Sequence, residues 1–315
     1  MNQTLLSIII VNWNTKQQLR DCISSIRDTN RDGFILRDVV VVDNASTDDS
    51  LHGVAQLGLS VTIIRNKENR GFAVACNQGA AVASGEFLLF LNPDTRLFEN
   101  SLSVPMAFML SPENADVGIV GIQLVDEGSH ITQSCARFPT LAIFFAQALG
   151  VNRLPGLRHL NTHMSEWAHD NSATVDHVIG AFYLMRHSIF ESLGGFDERF
   201  FVYLEDLDLS LRAHQAGYRS VFLAGAQAFH AGGGTSRQVK AHRLFYSLRS
   251  RLLYGFKHFP AHKAWLLLFI TFTVEPWSRL VFALSKGSWR NASHTLQAYA
   301  LLIKSLPEVL LFSRR

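Results

Sequence analysis

The amino-acid sequence predicts an α/β fold in which a mostly parallel sheet lies between helices. In the first half of the chain, apolar runs of strand length alternate with segments of helix length. The apolar runs are continuous, which is typical of strands that are covered on both faces. The chain has 315 residues, 48% of them hydrophobic, which is enough to bury one large core or two moderate ones.

The predicted elements follow one another as strands and helices. The first helix is predicted over Lys16–Arg27, because apolar residues recur there at helical spacing, and the second over Phe72–Ala83. The apolar runs that predict strands are Ser7–Val11, Val39–Val42, Leu59–Arg65, Gly85–Leu91 and Val117–Gly121.

The cysteines and the N-terminal region predict a cytoplasmic location. Cys22, Cys76 and Cys135 are odd in number and far apart, which argues against a disulfide framework or a zinc site. The apolar stretch Leu5–Val11 has no basic region before it and is too short for a signal peptide.

Charge divides the chain into an acidic body and a basic tail. Residues 237–315 contain 13 Lys and Arg against two Asp and Glu, a net charge of +11, whereas residues 1–236 contain 16 against 24, a net charge of −8. A basic tail of this kind favours an acidic partner, either nucleic acid or an anionic membrane.

The apolar content of the tail favours the membrane. Lys263–Val274 and Trp277–Leu284 are apolar, and Glu275-Pro276 ends the first run well short of the roughly 20 residues that a membrane span needs. Three tryptophans supply rings of the kind found at lipid headgroups: Trp265, Trp277 and Trp289. We expect two short helices in the membrane interface. A helical cap packed on the core is the alternative. No nucleic-acid-binding motif accompanies the charge, so we expect no nucleic-acid partner.

Polar residues follow the predicted strands where a nucleotide would bind. Asn92-Pro93-Asp94 comes directly after the strand that ends at Leu91, and ligands of open α/β sheets lie outside the carboxyl ends of the strands. A carboxylate there is well placed to hold a divalent metal against a diphosphate. The alternative is an ordinary Pro-Asp turn.

Motifs of other nucleotide-binding folds are missing from the sequence. No G-x-G-x-x-G follows the first strand, no P-loop occurs, and Gly232-Gly233-Gly234 does not join a strand to a helix. Asn12 and Asp43 stand instead at strand ends. Asp43 has the chemistry to accept hydrogen bonds from a base or ribose, although helix caps and Asx turns use the same residue type.

The segment Gly194–Arg212 holds a dense group of acids among aromatic residues. Leu204, Leu207 and Leu211 mark one predicted helix face, and in that register Glu205 and Asp208 share a face from which Asp206 is excluded. Acids in a first helical turn are favoured by the helix dipole, but these three together with Asp197 exceed what capping requires. A carboxylate against an apolar wall would have a raised pKa and could act as a general base.

Taken together, these motifs resemble one enzyme family. In order and spacing, the chain over roughly residues 5–236 resembles the glycosyltransferase family 2 enzymes with the GT-A fold, especially the bacterial rhamnosyltransferase-like branch. This resemblance implies a mixed, mostly parallel sheet between helices. The motifs that carry the resemblance are Asp43 after a valine run, Asn69-Arg70-Gly71-Phe72, Asn77-Gln78-Gly79, Asn92-Pro93-Asp94 and Glu205-Asp206-Leu207-Asp208.

The resemblance implies a role for each matched residue. Asp43 would bind the nucleoside, and the donor pocket would be lined by Asn69, Gly71 and Asn77. Asp94 takes the last place of the D-x-D metal motif, whereas the first place is the uncharged Asn92, an auxiliary contact at most. Asp206 matches the catalytic base, and Asp197, Glu205 and Asp208 are candidates on the acceptor side. His230 lies where some relatives place a histidine near the metal or diphosphate.

The resemblance also implies an inverting reaction with a metal cofactor. Asp206 would take the proton from an acceptor hydroxyl as that oxygen attacks the anomeric carbon opposite the leaving group. Mg²⁺ or Mn²⁺ at Asp94 would neutralise the charge on the departing diphosphate. Mg²⁺ needs few protein ligands, so one carboxylate together with the donor's oxygens is sufficient.

The resemblance and the tail together predict partners and location. The donor would be a dTDP- or UDP-sugar, with dTDP-rhamnose favoured, and the acceptor a lipid-linked or polysaccharide glycan. We expect a GT-A domain over residues 1–236, with a donor half (1–125) and an acceptor half (126–236), followed by a helical tail (237–315) on the inner face of the cytoplasmic membrane. A sugar nucleotidyltransferase and a non-catalytic carbohydrate- or membrane-binding protein are the alternatives.

Overall fold

The computed structural model describes residues 3–154, 156–232 and 240–312. Within these residues the chain forms two compact units. The first comprises residues 3–137, 167–198 and 205–232, and the second comprises the remainder, including all of the described C-terminal segment. The predicted domain boundary after residue 236 falls outside the described residues, as do Gly233 and Gly234.

Strands make up the centre of the first unit. They are β1 (Thr4–Asn12), β2 (Phe34–Asp43), β3 (Val61–Arg65), β4 (Phe87–Leu91), β5 (Thr95–Leu97), β6 (Val117–Val125), β7 (Cys135–Ala136), β8 (Ala173–Val175), β9 (His177–Val178), β10 (Phe182–Arg186) and β11 (Arg219–His230).

Helices occur in both units. They are α1 (Gln17–Arg27), α2 (Phe72–Val82), α3 (Ser103–Leu110), α4 (Leu141–Leu149), α5 (His187–Ser192), α6 (Glu205–Gln215), α7 (Lys240–His258), α8 (Ala261–Thr273), α9 (Glu275–Ser285) and α10 (Trp289–Phe312).

The main sheet is mixed, as predicted. Its strand order is β3-β2-β1-β4-β10-β6-β11-β5, with β8 paired to β11. Strands β1 to β4 run parallel, and β10 runs antiparallel between β4 and β6. Strand β11 pairs parallel with β6 and antiparallel with β5. Strands β7 and β9 form a separate antiparallel pair.

The continuous apolar strands are buried on both faces, which confirms the layered prediction. Every residue of β4 is buried, and the last five residues of β2 are buried as well. Helix α2 lies very close to the sheet, because a Cβ added at Gly79 would come within 2.5 Å of Ile9 Cγ2. Close approach of helix and strand therefore depends on a residue without a side chain.

Several predicted boundaries differ from the structure. Strand β3 begins at Val61 rather than Leu59, and β6 continues to Val125. The three-residue strand β5 was not predicted, since it is formed by pairing with the distant strand β11. The prediction that Leu204 lies on a helix face is wrong: α6 begins at Glu205, and Leu204 has a φ of 64°.

The second unit is a group of packed helices. Helix α10 packs against α7 and α9, and α8 contacts α4, α7 and α9. Glu275, at the start of α9, is fully buried and forms ion pairs with Arg251 of α7 and with Arg279. The side-chain hydroxyl of Thr271 also accepts a hydrogen bond from Arg251, at 3.0 Å. A buried network of this kind fixes the register of three helices.

Helices α8 and α9 follow one another with only Val274 between them. Among the described residues, one segment, Ala261–Ser285, is long and apolar enough to cross a membrane on the criteria of length and composition. The sequence predicted that the first apolar helix would end at Glu275-Pro276. In the structure the two helices are separated by one residue, because Pro276 lies in the first turn of α9, where its missing N–H costs nothing.

Candidate functional site

The polar residues predicted at the strand ends lie along one edge of the sheet. Asn12 pairs with Asp43 at the ends of the parallel strands β1 and β2. Leu91, the last residue of β4, pairs with Phe182, the first residue of β10. The carboxyl ends of β1, β2 and β4 and the segment before β10 therefore meet at the same edge.

Asp43 is buried and held by hydrogen bonds. Its Oδ1 accepts from Asn12 Nδ2 at 2.7 Å, and its Oδ2 accepts from the backbone N–H of Ser46 at 3.2 Å. The same Asn12 amide also donates to the hydroxyl of Ser50 at 2.8 Å. Asn12 is fully buried, so its contacts orient Asp43 rather than reach a ligand.

An amide network supports the loop before α2. Asn44 Nδ2 donates to the carbonyl of Gly71 at 2.9 Å, and Asn44 Oδ1 accepts from Asn66. Asn69 Oδ1 accepts from the Gly71 N–H at 3.0 Å, which closes an Asx turn. Gly71 has a φ of 86°, a conformation that favours glycine, and it immediately precedes the first residue of α2.

Asn77 connects α2 with the segment that leads towards the acidic motif. Its Nδ2 donates to the carbonyl of Phe196 at 2.9 Å, and its Oδ1 accepts from the Phe196 N–H at 2.9 Å. The Nδ2 also donates to Glu198. These reciprocal bonds occupy the side chain, whose role in the structure is to hold the 196–198 segment.

Asn92-Pro93-Asp94 forms a tight turn between β4 and β5. The carbonyl of Asn92 accepts from the Thr95 N–H at 3.1 Å, and the Asn92 N–H donates to the carbonyl of Ala181 at 3.0 Å. The Ala231 N–H donates to the Asp94 carbonyl. The segment is thus a turn, and that turn presents Asp94 at the edge of the sheet.

His230 is the neighbour of Asp94. Strands β5 and β11 are antiparallel and pair Thr95 with His230, which brings the imidazole beside the preceding aspartate. His230 Nε2 lies 3.3 Å from Asp94 Oδ1, and the two side chains are 13% and 11% exposed. A carboxylate and an imidazole are both ligands of divalent cations. No group of three or more His, Cys, Asp and Glu that could hold a metal occurs within residues 3–154, 156–232 and 240–312, so further ligands would come from substrate or water.

Two open cavities lie beside this turn. One of about 230 Å³ is lined in part by Asp94, Arg96 and Glu127, and one of about 480 Å³ shares Arg96 and Glu127 with it. The Arg96 guanidinium stacks on the ring of Phe229, 4.0 Å from its centroid. The cavity beside Asp94 is therefore lined by both acidic and basic groups.

Asp206 lies in the first turn of α6 and is tightly held. Its Oδ2 accepts from the Gly180 N–H at 2.8 Å, and its Oδ1 accepts from the Leu207 N–H at 2.8 Å. His177 Nε2 lies 3.5 Å from Oδ2, and the Asp206 side chain is 19% exposed. Burial raises the pKa of Asp206, but the histidine and the two backbone N–H groups outweigh burial and hold the pKa below its ordinary value.

The other acids of the motif have different environments. Glu205 is buried, and burial, with the charge of Asp206 beside it, raises its pKa well above its ordinary value. Asp208 is fully buried and accepts from Arg212 Nε at 2.8 Å, while the same guanidinium donates to the carbonyls of Leu193 and Gly195. Asp197 lies half-buried in the loop before α6. Glu205 and Asp208 are buried together and Asp206 is partly exposed, as expected for these three acids, although Leu204 lies outside the helix.

Sequence reasoning missed His177 and Gly180. A Cβ added at Gly180 would come within 3.0 Å of Asp206 Oδ2, so the glycine makes room for the carboxylate. His177 directly follows Asp176 and precedes the apolar stretch that leads to β10. Two ionisable residues before an apolar stretch give no specific signal, and the contact of His177 with α6 depends on the tertiary fold.

Comparison with known proteins identifies relatives of this chain. The model of glycosyl transferase family 2 matches residues 7–194. An N-acetylglucosaminyl-diphospho-decaprenol L-rhamnosyltransferase of Mycobacterium tuberculosis is 27% identical over 203 residues, which cover 61% of this chain and 66% of that protein. The rhamnosyltransferase WbbL of Escherichia coli is 28% identical over 174 residues, 55% of this chain and 62% of the relative. The chain thus spans slightly less than two thirds of each relative's length.

A solved structure shares the fold. The mannosyltransferase PcManGT of Pyrobaculum calidifontis, determined with GDP-Man and Mn²⁺, has a TM-score of 0.55 and 18% sequence identity. The match covers 98% of this chain and 84% of that one. The likeness supports the predicted fold class and, at this identity, nothing finer.

Proposed function

Because the chain belongs to glycosyl transferase family 2, we propose that it is an inverting glycosyltransferase, which moves a sugar from a nucleotide-diphosphate donor to an acceptor hydroxyl. The observation that carries the proposal is the arrangement of three carboxylates. Asp43 and Asp94 follow neighbouring parts of one sheet edge, and Asp206 is held there by Gly180, the residue before Ala181, which binds the Asn92 backbone.

The donor half of the site binds and orients the nucleotide sugar. Asp43 receives the nucleoside, and Asn12 fixes the direction in which its carboxylate points. The Asx turn of Asn69 and Gly71 sets the backbone at the start of α2, where helix N–H groups favour an anion such as a diphosphate. Asn77 and Asn92 hold neighbouring segments through backbone contacts.

Asp94 and His230 would hold Mg²⁺ or Mn²⁺. Their proximity and their oxygen and nitrogen donors fit a divalent cation whose remaining ligands are diphosphate oxygens and water. When bound, the cation neutralises negative charge on the departing diphosphate. Arg96, beside Asp94 in the adjoining cavity, supplies a second positive charge near the same group.

Asp206 acts as the general base. The acceptor oxygen forms a bond to the anomeric carbon while the bond from that carbon to the diphosphate oxygen breaks on the opposite face, and the acceptor proton passes to the Asp206 carboxylate. The lowered pKa of Asp206 keeps the carboxylate ionised at neutral pH, the state that accepts a proton. Burial raises the pKa of Glu205 well above its ordinary value and so disfavours the charged form that a general base needs.

We further propose dTDP-L-rhamnose as donor and a lipid-linked glycan as acceptor. The names of the Mycobacterium tuberculosis and Escherichia coli relatives both specify rhamnosyl transfer, and the first specifies a diphospho-decaprenol acceptor. A lipid-linked acceptor is present only at a membrane. The proposal therefore requires that this protein reach the inner face of the cytoplasmic membrane.

The second unit supports such membrane association. Each of its last three helices has large apolar side chains that are exposed to solvent. They are Trp265, Leu266 and Phe269 in α8, Trp277, Val281, Phe282 and Leu284 in α9, and Trp289, Leu296, Ile303 and Leu311 in α10. In α9, Trp277, Val281 and Leu284 share one face at helical spacing. The net charge of +11 in residues 237–315 complements anionic lipid headgroups.

The buried charges favour a position in the membrane interface over a span. Glu275 lies within the apolar segment and is paired with Arg251 and Arg279. A span of Ala261–Ser285 would carry Glu275 and Arg279 into the hydrocarbon core, where charged groups are costly. Helices lying in the interface keep this network inside the protein while their exposed tryptophans reach the lipid.

A binding screen tests the proposed function. We would measure the thermal shift of the full chain with a panel of dTDP-, UDP- and GDP-sugars, each with Mg²⁺, with Mn²⁺ and with EDTA. We expect one nucleotide class to raise the melting temperature in a metal-dependent way. The absence of any metal-dependent shift across the panel would contradict the proposal.

A further inference from the structure

A buried histidine contacts the carboxylate that we assign as the base. His177 in β9 is 2% exposed, and its Nε2 lies 3.5 Å from Asp206 Oδ2. Its Nδ1 lies 2.9 Å from the hydroxyl of Ser210, one turn further along α6. Ser210 in turn lies 3.0 Å from the hydroxyl of Tyr183. Hydrogen bonds thus connect Tyr183, Ser210 and His177, and the imidazole places its Nε2 against the Asp206 carboxylate.

The contacts of His177 decide which ring nitrogen carries a proton towards Asp206. An ionised carboxylate only accepts, so the nitrogen that faces Asp206 must carry the proton. His177 Nδ1 then accepts from the Ser210 hydroxyl, and Ser210 accepts from Tyr183. This arrangement gives a partner to His177 Nδ1 and to the hydroxyls of Ser210 and Tyr183. The other tautomer would point a lone pair at the carboxylate.

The same contacts distinguish the two oxygens of Asp206. Oδ2 receives the Gly180 N–H and faces His177, while Oδ1 receives the Leu207 N–H. Oδ1 therefore retains more unused acceptor capacity. A base whose two oxygens are held unequally presents one of them to the substrate in a fixed direction.

We propose that His177 is a positioning residue for sugar transfer, which holds Oδ2 of Asp206 and leaves Oδ1 to take the proton from the acceptor hydroxyl. The inference rests on the proposed role of Asp206 as the base. It adds a residue outside the acidic motif to the machinery of that reaction.

Among the side chains around Asp206, His177 is the main one that favours its charged form. Tyr183 and Cys76 are buried, and burial raises the pKa of each, so both are neutral near pH 7. Burial also raises the pKa of Glu205 and disfavours its charged form. Asp208 is paired with Arg212 along α6. Removing the imidazole would thus leave Asp206 with its backbone N–H bonds but without a side-chain donor.

A titration of Asp206 tests the inference without any substrate. The full chain, labelled with ¹³Cγ aspartate, would be titrated by NMR, with the Asp206 signal assigned by its loss in Asp206→Asn. We expect His177→Leu to raise the midpoint of Asp206 by about one pH unit. His177→Gln keeps an N–H donor at a similar distance from the carboxylate. Its Asp206 midpoint should therefore lie close to that of the unmodified chain.

A matched histidine provides the control. His187 is also partly buried, with Nδ1 2.8 Å from the carbonyl of Gly85 and Nε2 3.7 Å from Glu191. His187→Leu should leave the Asp206 midpoint unchanged. In the unmodified protein, ¹⁵N NMR of His177 should show a protonated Nε2, a result that needs no variant to fold.

The outcomes separate the inference from the proposed function. An Asp206 midpoint that is the same in His177→Leu as in the unmodified chain, or a His177 protonated on Nδ1 alone, would overturn the inference. Those results would leave the role of Asp206 intact if Asp206→Asn is inactive. Turnover by Asp206→Asn would instead overturn the proposed base, whatever the titration shows.

Discussion

The pKa values of two neighbouring acids in the same motif are shifted in opposite directions by their surroundings. The pKa of Glu205 is raised by burial, whereas that of Asp206 is lowered because His177 and two backbone N–H groups stabilise its charged form. The sequence suggested a base with a raised pKa. That expectation holds for Glu205, and the candidate base Asp206 departs from it. The sequence shows which acids are present. The direction of the Asp206 shift depends on His177 in β9 and on Gly180 before β10, which the local sequence does not bring together.

Gly180 tests how closely the base must be held. In Gly180→Ala the new Cβ would lie 3.0 Å from Asp206 Oδ2, so the carboxylate must shift by a few tenths of an ångström. We expect kcat to fall about tenfold, with the KM for the donor unchanged, because only the positioning of the base is disturbed. Steady-state kinetics measure both constants.

Gly225 provides the matched control for this substitution. It lies in β11 with nothing within 4 Å of an added Cβ and an ordinary φ. Gly225→Ala should retain the kinetic constants of the unmodified enzyme. Equal constants for Gly180→Ala and the unmodified enzyme would show that the tight contact is irrelevant to turnover.

Asp94 tests the metal assignment. In Asp94→Asn the side chain keeps its size but loses the charge that faces His230 at 3.3 Å. We expect the Mn²⁺-dependent thermal shift of the nucleotide sugar to disappear, since a neutral amide is a poor ligand for a hard cation. The exposed Asp116, paired with Arg219, is the control, and Asp116→Asn should keep the shift. An unchanged Mn²⁺ effect in Asp94→Asn would refute the metal site.

At the scale of elements, the long strands could be predicted and the short ones could not. Strand β4 is a run of five apolar residues and is buried throughout, so its own composition predicts it. Strand β5 has three residues and exists because β11 pairs with it. That pairing is also what brings His230 next to Asp94. His230, one of the two proposed metal ligands, is therefore placed by the pairing of two distant strands, which the local sequence pattern does not indicate.

The acidic motif shows a second limit of local pattern. Tyr203 and Leu204 precede α6 with φ values of 70° and 64°, a region that costs non-glycine residues about 1 kcal/mol or more each. The spacing of leucines predicted a continuous helix through this point. The backbone departs from it, so the start of the helix falls at the acids themselves.

Glu275 tests the stability of the helices in the second unit. Burial opposes its charged form, but Arg251 and Arg279 outweigh burial and lower its pKa below the ordinary 4.5. Replacing the carboxylate with an amide leaves Arg251 buried without its partner. We expect Glu275→Gln to lower the free energy of unfolding by about 3 kcal/mol at pH 7, measured by urea denaturation.

The pH dependence of this effect has a defined sign. A lowered pKa stabilises the fold above pH 4.5, and that contribution is lost as the pH falls through the folded-state value. The difference between Glu275→Gln and the unmodified protein should therefore shrink below about pH 4.5. Glu308, which is 65% exposed and 3.5 Å from Arg249, is the control, and Glu308→Gln should cost less than about 1 kcal/mol. A pH-independent difference would contradict the ion-pair account.

At the scale of the whole molecule, the division into an acidic sheet unit and a basic helical unit follows from composition. The change of charge and the apolar tail with its tryptophans are visible in the sequence. The structure adds that the rings of Trp265, Trp277 and Trp289 are exposed. The path of the chain could not be predicted in the same way. Residues 138–154, 156–166 and 199–204 join the helical unit, although they lie far from the tail in sequence.

Membrane association can be tested with matched phenylalanines. Phe269 in α8 is 61% exposed and Phe98 in the sheet unit is 45% exposed. Flotation with vesicles containing phosphatidylglycerol should show weaker binding for Phe269→Ala combined with Trp277→Ala, by about tenfold, because lost apolar burial reduces the partition coefficient. Phe98→Ala should bind as the unmodified protein does. Equal binding of all three proteins would contradict the assignment of α8 and α9 to the membrane.

The most direct test of the central claim is sugar transfer by Asp206→Asn. With dTDP-L-rhamnose or the nucleotide sugar selected by the binding screen, and an N-acetylglucosaminyl-diphospho-polyprenol acceptor, product formation would be measured alongside nucleotide binding. We expect nucleotide binding to be retained while turnover falls by about 10² to 10⁴, because general base catalysis is lost. Turnover equal to that of the unmodified enzyme would contradict the assignment of Asp206 as the base.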